Sequence, residues 1–112
     1  MASLSCDGKI TFFERFEADI LSGAKTITLR DESESHFSPG QVLSVSTFET
    51  GRHFCDIKVL RVEKLAFDAL NSRHAEQENM TLEQLKAVIT EIYGEIQTLY
   101  LIEFQLMNSQ QA

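Results

Sequence analysis

The sequence predicts an α+β fold, a small and largely antiparallel β-barrel with helices at its side or mouth. Strand-like segments outnumber helical ones, and they do not alternate with helices in a βαβ rhythm. The last apolar segment, Tyr100 to Leu106, also alternates in the period-two manner of a strand. At 112 residues, 43% hydrophobic with eight Phe and no Trp, the chain is sized for one core. Residues 1–112 are therefore expected to form one domain, with its core over about 10–106. One Pro and five Gly leave no linker, low-complexity tract or repeat.

In chain order, Ile10 to Phe12 reads as a short strand. Phe13, Phe16, Ile20 and Leu21 then share one side of a helical wheel, which predicts a helix over Phe13 to Ser22 ended by Gly23. Thr26 to Arg30 reads as a strand with Ile27 and Leu29 on one face and Thr26, Thr28 and Arg30 on the other. Asp31 to Gly40 is a polar loop closed by the turn Ser38-Pro39-Gly40. Val42 to Phe48 and Phe54 to Val62 form a hairpin across Glu49-Thr50-Gly51-Arg52. A helix starts at Thr81, where Thr81 and Gln84 have capping-box spacing and Met80 and Leu85 hydrophobic-staple spacing. Its apolar stripe is Leu82, Leu85, Val88, Ile89 and Ile92, and Gly94 ends it.

Charge and cysteine content narrow the function. Ten basic against seventeen acidic residues give a net charge of −7. That balance opposes a broad phosphate-binding surface, which depends on Lys and Arg. Cys6 and Cys55 match no zinc or redox spacing and are read as chemically idle in a reducing, cytoplasmic setting. No apolar run has signal-peptide or membrane-span length.

Several motifs fail on inspection. "SGAKT" has neither the spacing nor the glycines of a phosphate-binding loop. His36, His53 and His74 have no close spacing and no cysteine partners, and the acidic run Asp31, Glu32, Glu34 lacks EF-hand spacing, so no metal site is expected. Lys25 and Thr28 are more informative. A threonine hydroxyl attacks only when a base removes its proton, and a neutral lysine is such a base. A free lysine titrates near 10.4, so lowering it by about three units requires roughly 4 kcal/mol. Burial, or a cation such as Arg30, supplies a penalty of that kind. On spacing alone, a lysine and a threonine on a strand are usually surface residues. The other candidate is "HAEQENM", where a helix over Arg73 to Glu78 would place His74 and Glu78 on one face. An ionised carboxylate beside a lysine base would keep that base charged, unless the pair shares its proton as one unit. A surface charge cluster is the plainer reading.

The segments "ITFFERFEADILSGAKTIT", "LRDESESHF", "HAEQENMTLEQLK" and "YLIEF" together resemble the small bacterial N(4)-acetylcytidine amidohydrolases of the ASCH-domain superfamily, whose fold is PUA-like. The resemblance runs in one order from about Ile10 to Phe104. It departs in "IYGEIQ", which lacks a proline after the tyrosine, and in a longer head and tail. It implies Lys25 as proton acceptor, Thr28 as nucleophile and Glu78 as proton donor, acting on the acetyl amide of cytidine without a cofactor or metal. Arg30, Glu34 and Phe13 are the candidate substrate contacts: Arg30 for the pyrimidine carbonyl, with an ion pair to Asp31 or Glu34 as the plainer reading, and a phenylalanine such as Phe13 or Phe37 for stacking, with core packing as the plainer reading. The expected partner is a small nucleoside, with no stable nucleic-acid complex, no membrane association, and a monomer or small homo-oligomer. The competing reading is a non-catalytic PUA-like module that binds RNA or a modified nucleoside.

Overall fold

In the computed structural model, which describes residues 8–107, one five-stranded mixed sheet curls into a half-barrel. Its strands are β1 (Gly8–Phe12), β2 (Ile27–Arg30), β3 (Val42–Thr47), β4 (His53–Ala66) and β5 (Thr98–Leu106), in the spatial order β1-β3-β4-β5-β2. Three neighbouring pairs are antiparallel, and β1 runs parallel to β3. The predicted hairpin is the β3–β4 pair, whose turn carries Gly51 at φ 75°. Register shifts at Val45/Ser46 and at Val59/Arg61 bend β3 and β4, which is how a bulge curves a sheet. β4 outruns its predicted end at Val62 because Glu63 to Ala66 pair with Leu101 to Thr98. That long-range pairing leaves no mark in the local sequence.

The helices are α1 (Glu17–Ser22), α2 (Ser72–Gln77) and α3 (Leu82–Tyr93). The predicted first helix is split. Residues Glu14–Phe16 form a 3₁₀ turn and only six residues are α-helical. Phe13 caps the turn without a side-chain bond, and Glu49 Oε1 accepts from the Glu14 backbone N–H at 2.9 Å. In so short a helix only Ile20 is buried, and Leu21, expected on the apolar side, is 44% exposed. α3 begins as predicted, with the Thr81 and Gln84 side chains satisfying each other's backbone N–H groups.

Two apolar clusters lie on opposite faces of the sheet. Inside the curl, Ile10, Phe12, Leu43, Val45, Ile57, Val59, Ile102 and Phe104 pack together. On the other face, Ile27, Leu29, Leu99 and Leu101 pack against Leu70, Ala75, Leu85 and Ile89 of the helical layer. β5 feeds both, which explains its apolar residues at both parities. β2 does the same with a difference: its outer residues are aliphatic, while Thr28, paired with Ile102, faces inward.

Candidate active site

Lys25 follows the α1 C-terminus, where Gly23 adopts φ 83° and turns the chain back toward β2. Its backbone N–H donates to Asp19 O at 3.0 Å, and the next N–H, of Thr26, donates to Gln77 O at 2.7 Å. The second bond docks the end of α2 against the start of β2. Asn71 caps α2 by accepting from Arg73 N and His74 N, and His74 Nδ1 accepts from Asn71 N. The histidine thus serves the helix cap, while Glu78, just past the helix end, turns inward.

The Lys25 ammonium donates to a Glu78 carboxylate oxygen and, at 2.9 Å, to the Ile27 carbonyl. Lys25 is 3% exposed and Glu78 4%, so the pair is almost dry. Phe12 and Phe16 rings lie 5.7 and 5.2 Å from Nζ. Burial pulls the lysine below its ordinary value; Glu78 opposes the shift and the Arg30 cation adds to it.

Thr28 sits beside Arg30 on the inner face. Arg30 Nε donates to Thr28 Oγ1 at 2.9 Å, Nη1 donates to both Glu34 oxygens at 3.0 and 3.1 Å, and Nη2 donates to Thr11 O at 2.8 Å. Its Cζ lies 4.6 Å from the Phe12 ring centroid. Thr11 and Arg30 belong to β1 and β2, the two outer strands of the sheet, so one guanidinium bridges edges that share no backbone ladder.

Lys25, Thr28, Arg30, Glu34, Glu78 and Phe13 all line one cavity of about 270 Å³. The structure therefore brings the expected catalytic set and the three candidate substrate contacts to one place, while His74 stays at the helix cap. Its opposite wall is apolar and comes from α3, with Val88, Ile89, Ile92 and Tyr93. Ile92, which its sequence position assigns to the core, is 41% exposed because it faces this space. Phe48, in the turn just after β3, stands at the rim, 65% exposed and edge-on to Phe13 with centroids 5.2 Å apart. Burial raises the Tyr93 phenol, with the Arg30 charge and an Asp31 backbone N–H pulling the other way. Sequence reasoning misses Phe48 and Tyr93, since neither carries a local signal beyond its aromatic ring. Among the described residues, no three His, Cys, Asp or Glu side chains are grouped to hold a metal, and no helix is long and apolar enough to cross a membrane. Cys55 is half-buried, its thiol pushed up to about 12 mainly by that burial, which makes it a poor nucleophile. Cys6 lies outside the described residues.

The ASCH domain profile matches residues 6–108. The chain belongs to the ASCH domain family. Among curated relatives, a protein of Vibrio vulnificus named N(4)-acetylcytidine amidohydrolase is 64% identical over 97 residues, covering 87% of this chain and 93% of that one. One of the same name from Shewanella oneidensis is 60% identical over 99 residues, covering 88% and 95%. Solved structures agree on the fold. The ASCH domain of Lactobacillus crispatus superposes with a TM-score of 0.68 at 18% identity, covering 88% of this chain and 78% of that one. That of Zymomonas mobilis superposes with a TM-score of 0.69 at 14% identity, covering 91% and 73%.

Proposed function

We propose that this ASCH protein is an amidohydrolase that removes the acetyl group from N(4)-acetylcytidine, giving cytidine and acetate. The observation that carries the reading is the buried Lys25–Glu78 pair, which opens into the same cavity as the Thr28 hydroxyl. Relatives at 60–64% identity that carry this activity as their name support the choice of substrate.

The chemistry follows from where the protons sit. The pair holds one shared proton as Lys25-NH₃⁺/Glu78-COO⁻ or as Lys25-NH₂/Glu78-COOH. The second form supplies a neutral base and a protonated acid together, which amide cleavage needs. Substrate entry displaces water from the cavity and favours that uncharged form, because desolvation penalises both charges. Lys25 takes the Thr28 proton as Oγ1 attacks the acetyl carbonyl. Glu78 protonates the exocyclic nitrogen as the C–N bond breaks, so the leaving group departs as a neutral amine. Thr28 is left acetylated and the pair is back in its ionic form. Proton return from Lys25 to Glu78 lets the amine activate water, which attacks the ester. Lys25 then returns that proton to the departing Thr28 oxygen, and acetic acid leaves, giving its proton to water to become acetate.

Arg30 is assigned to the nucleophile. Its Nε hydrogen occupies one lone pair of Thr28 Oγ1, so the hydroxyl hydrogen must point elsewhere, and the guanidinium stabilises the alkoxide as it develops. Glu34 holds Arg30 in place, while Phe13 and the rim receive the pyrimidine. The whole chain acts as one ASCH domain, cytoplasmic, as a monomer or small homo-oligomer. Its −7 charge suits a free nucleoside better than RNA.

The test follows acetylcytidine loss and cytidine appearance with wild type, Lys25→Met, Thr28→Ala, Glu78→Gln and Thr28→Ser. Thr28→Ser should retain part of the activity because it keeps the hydroxyl. A folded Thr28→Ala protein turning over at the wild-type rate would remove the nucleophile assignment. Binding of the nucleoside by the wild type without product would favour the non-catalytic module.

A further inference from the structure

Among the described residues, Asn79 is the single non-glycine with positive φ, at 60°. It occupies the left-handed position that ends α2. Asn79 N donates to Glu76 O at 3.0 Å and Met80 N to Ala75 O at 2.8 Å, the paired bonds of a Schellman turn. Glycine is the ordinary occupant of that position, because a Cβ opposes left-handed backbone. The chain uses glycine at the α1 terminus, where Gly23 has φ 83°. At the α2 terminus it uses asparagine, and the side chain has a partner. Asn79 Nδ2 donates to Asp19 Oδ1 at 3.1 Å. Asp19 is also the residue whose carbonyl accepts the Lys25 backbone N–H.

We infer that Asn79 is a positioning residue, whose amide ties the Glu78 turn to Asp19 and so sets how the Glu78 carboxyl meets Lys25. Glu78 is adjacent to Asn79, and Asp19 grips both sides of the pair: Lys25 through the main chain, and the Glu78 turn through Asn79. The Thr26 N–H to Gln77 O bond fixes the same two segments one residue away on each. Without the Asp19–Asn79 bond, the Glu78 turn would keep its helical tether and the packing of Met80 but lose its side-chain link to the Lys25 segment. A proton passed between Lys25 and Glu78 and then to a substrate nitrogen requires fixed distances. Displacement near 1 Å costs up to about a hundredfold in rate. The inference rests on the role proposed for Glu78.

Asn79→Gly separates the amide from the backbone, because it relieves the left-handed strain while deleting the link. It should fold with a Tm equal to or above wild type, yet lose about tenfold to a hundredfold in kcat with KM nearly unchanged. Asp19→Ala should lose a similar factor, and the double variant should lose no more than either single one. Asp19→Asn, which keeps an accepting oxygen, should recover most of the rate. Independently of turnover, the Lys25 side-chain titration followed by NMR should move in Asn79→Gly, since its carboxylate neighbour is no longer held. Wild-type kcat in a folded Asn79→Gly protein with an unmoved Lys25 titration would sink the inference, as would additive losses in the double variant. Glu78→Gln, assayed alongside, tells the two failures apart. If it too keeps full turnover, the role of Glu78 is what fails. If it is inactive while Asn79→Gly is normal, the clamp alone fails.

Discussion

Arg30 Nε donates to the Thr28 hydroxyl at 2.9 Å, while the rest of the same guanidinium holds Glu34 and the Thr11 carbonyl. A planar fork meets these acceptors at once; an ammonium is a point charge with no such geometry. Arg30→Lys is therefore expected to behave nearly as badly as Arg30→Gln. Either should lower kcat by about a hundredfold, the scale seen when one donor to a developing oxyanion is removed. Steady-state kinetics on acetylcytidine check this. An Arg30→Lys enzyme within about threefold of wild type would show that charge alone, and not the aimed Nε hydrogen, is what Thr28 needs.

The Lys25–Glu78 pair works only while it holds one dissociable proton. Gain of a second leaves no base, and loss of the only one leaves no acid. The kcat/KM profile is therefore expected to be bell-shaped, with limbs that belong to the pair and not to either residue. Burial lowers Lys25, so the basic limb should fall below the ordinary lysine value near 10.4. Arg30 contributes to that lowering. Arg30→Gln should accordingly move the basic limb upward, on top of its loss of rate. A pH–rate series over both variants decides it, and a limb that stays put or moves down contradicts the assignment.

Stability reads the same pair from another side. Lys25 is shifted downward, so its neutral form is the one folding favours. Its own contribution is full above about 10.4 and is lost as pH falls through the lowered folded value. At neutral pH Glu78 is what keeps a buried ammonium tolerable, and the reverse holds for the carboxylate. Lys25→Met leaves the carboxylate dry and unpaired, which should destabilise the fold by about 3–5 kcal/mol. Lys25→Met with Glu78→Leu removes both charges and should recover most of that loss. Urea unfolding of the two proteins at pH 7 measures the difference.

Much of this site is written locally, and the rest is tertiary. The strand parity of Thr26 to Arg30 by itself assigns Thr28 and Arg30 to one face, and the Thr81 capping box marks where α3 begins. Glu78 is different. Nothing in "HAEQENM" shows that its carboxylate meets a lysine 53 positions earlier; only resemblance to a known family points there. The parallel β1–β3 pairing, the extension of β4 and the bridging of β1 to β2 by Arg30 all depend on contacts distant in sequence. The apolar stripe of α3 is legible as a stripe, but not that Val88 and Ile92 face a cavity instead of the core. Periodicity identifies a buried or apolar face; it does not say whether protein or ligand covers it.

Phe48 supplies the cleanest separation of binding from folding. At 65% exposed it contributes little to the core, and its edge-on contact with Phe13 is worth about 0.5–1.5 kcal/mol. An exposed phenylalanine beside a polar-floored cavity is well placed to stack on an entering pyrimidine, and Phe13 gives it a fixed edge to rest on. Phe48→Ala should cost no more than that pair energy in urea unfolding. It should raise KM for acetylcytidine several-fold and leave kcat near wild type, because stacking acts equally on substrate and transition state. Phe48→Tyr should keep KM, since the ring remains. A Phe48→Ala protein with unchanged KM and lowered kcat would instead place this ring in the chemistry, and the rim would have to be assigned to other residues.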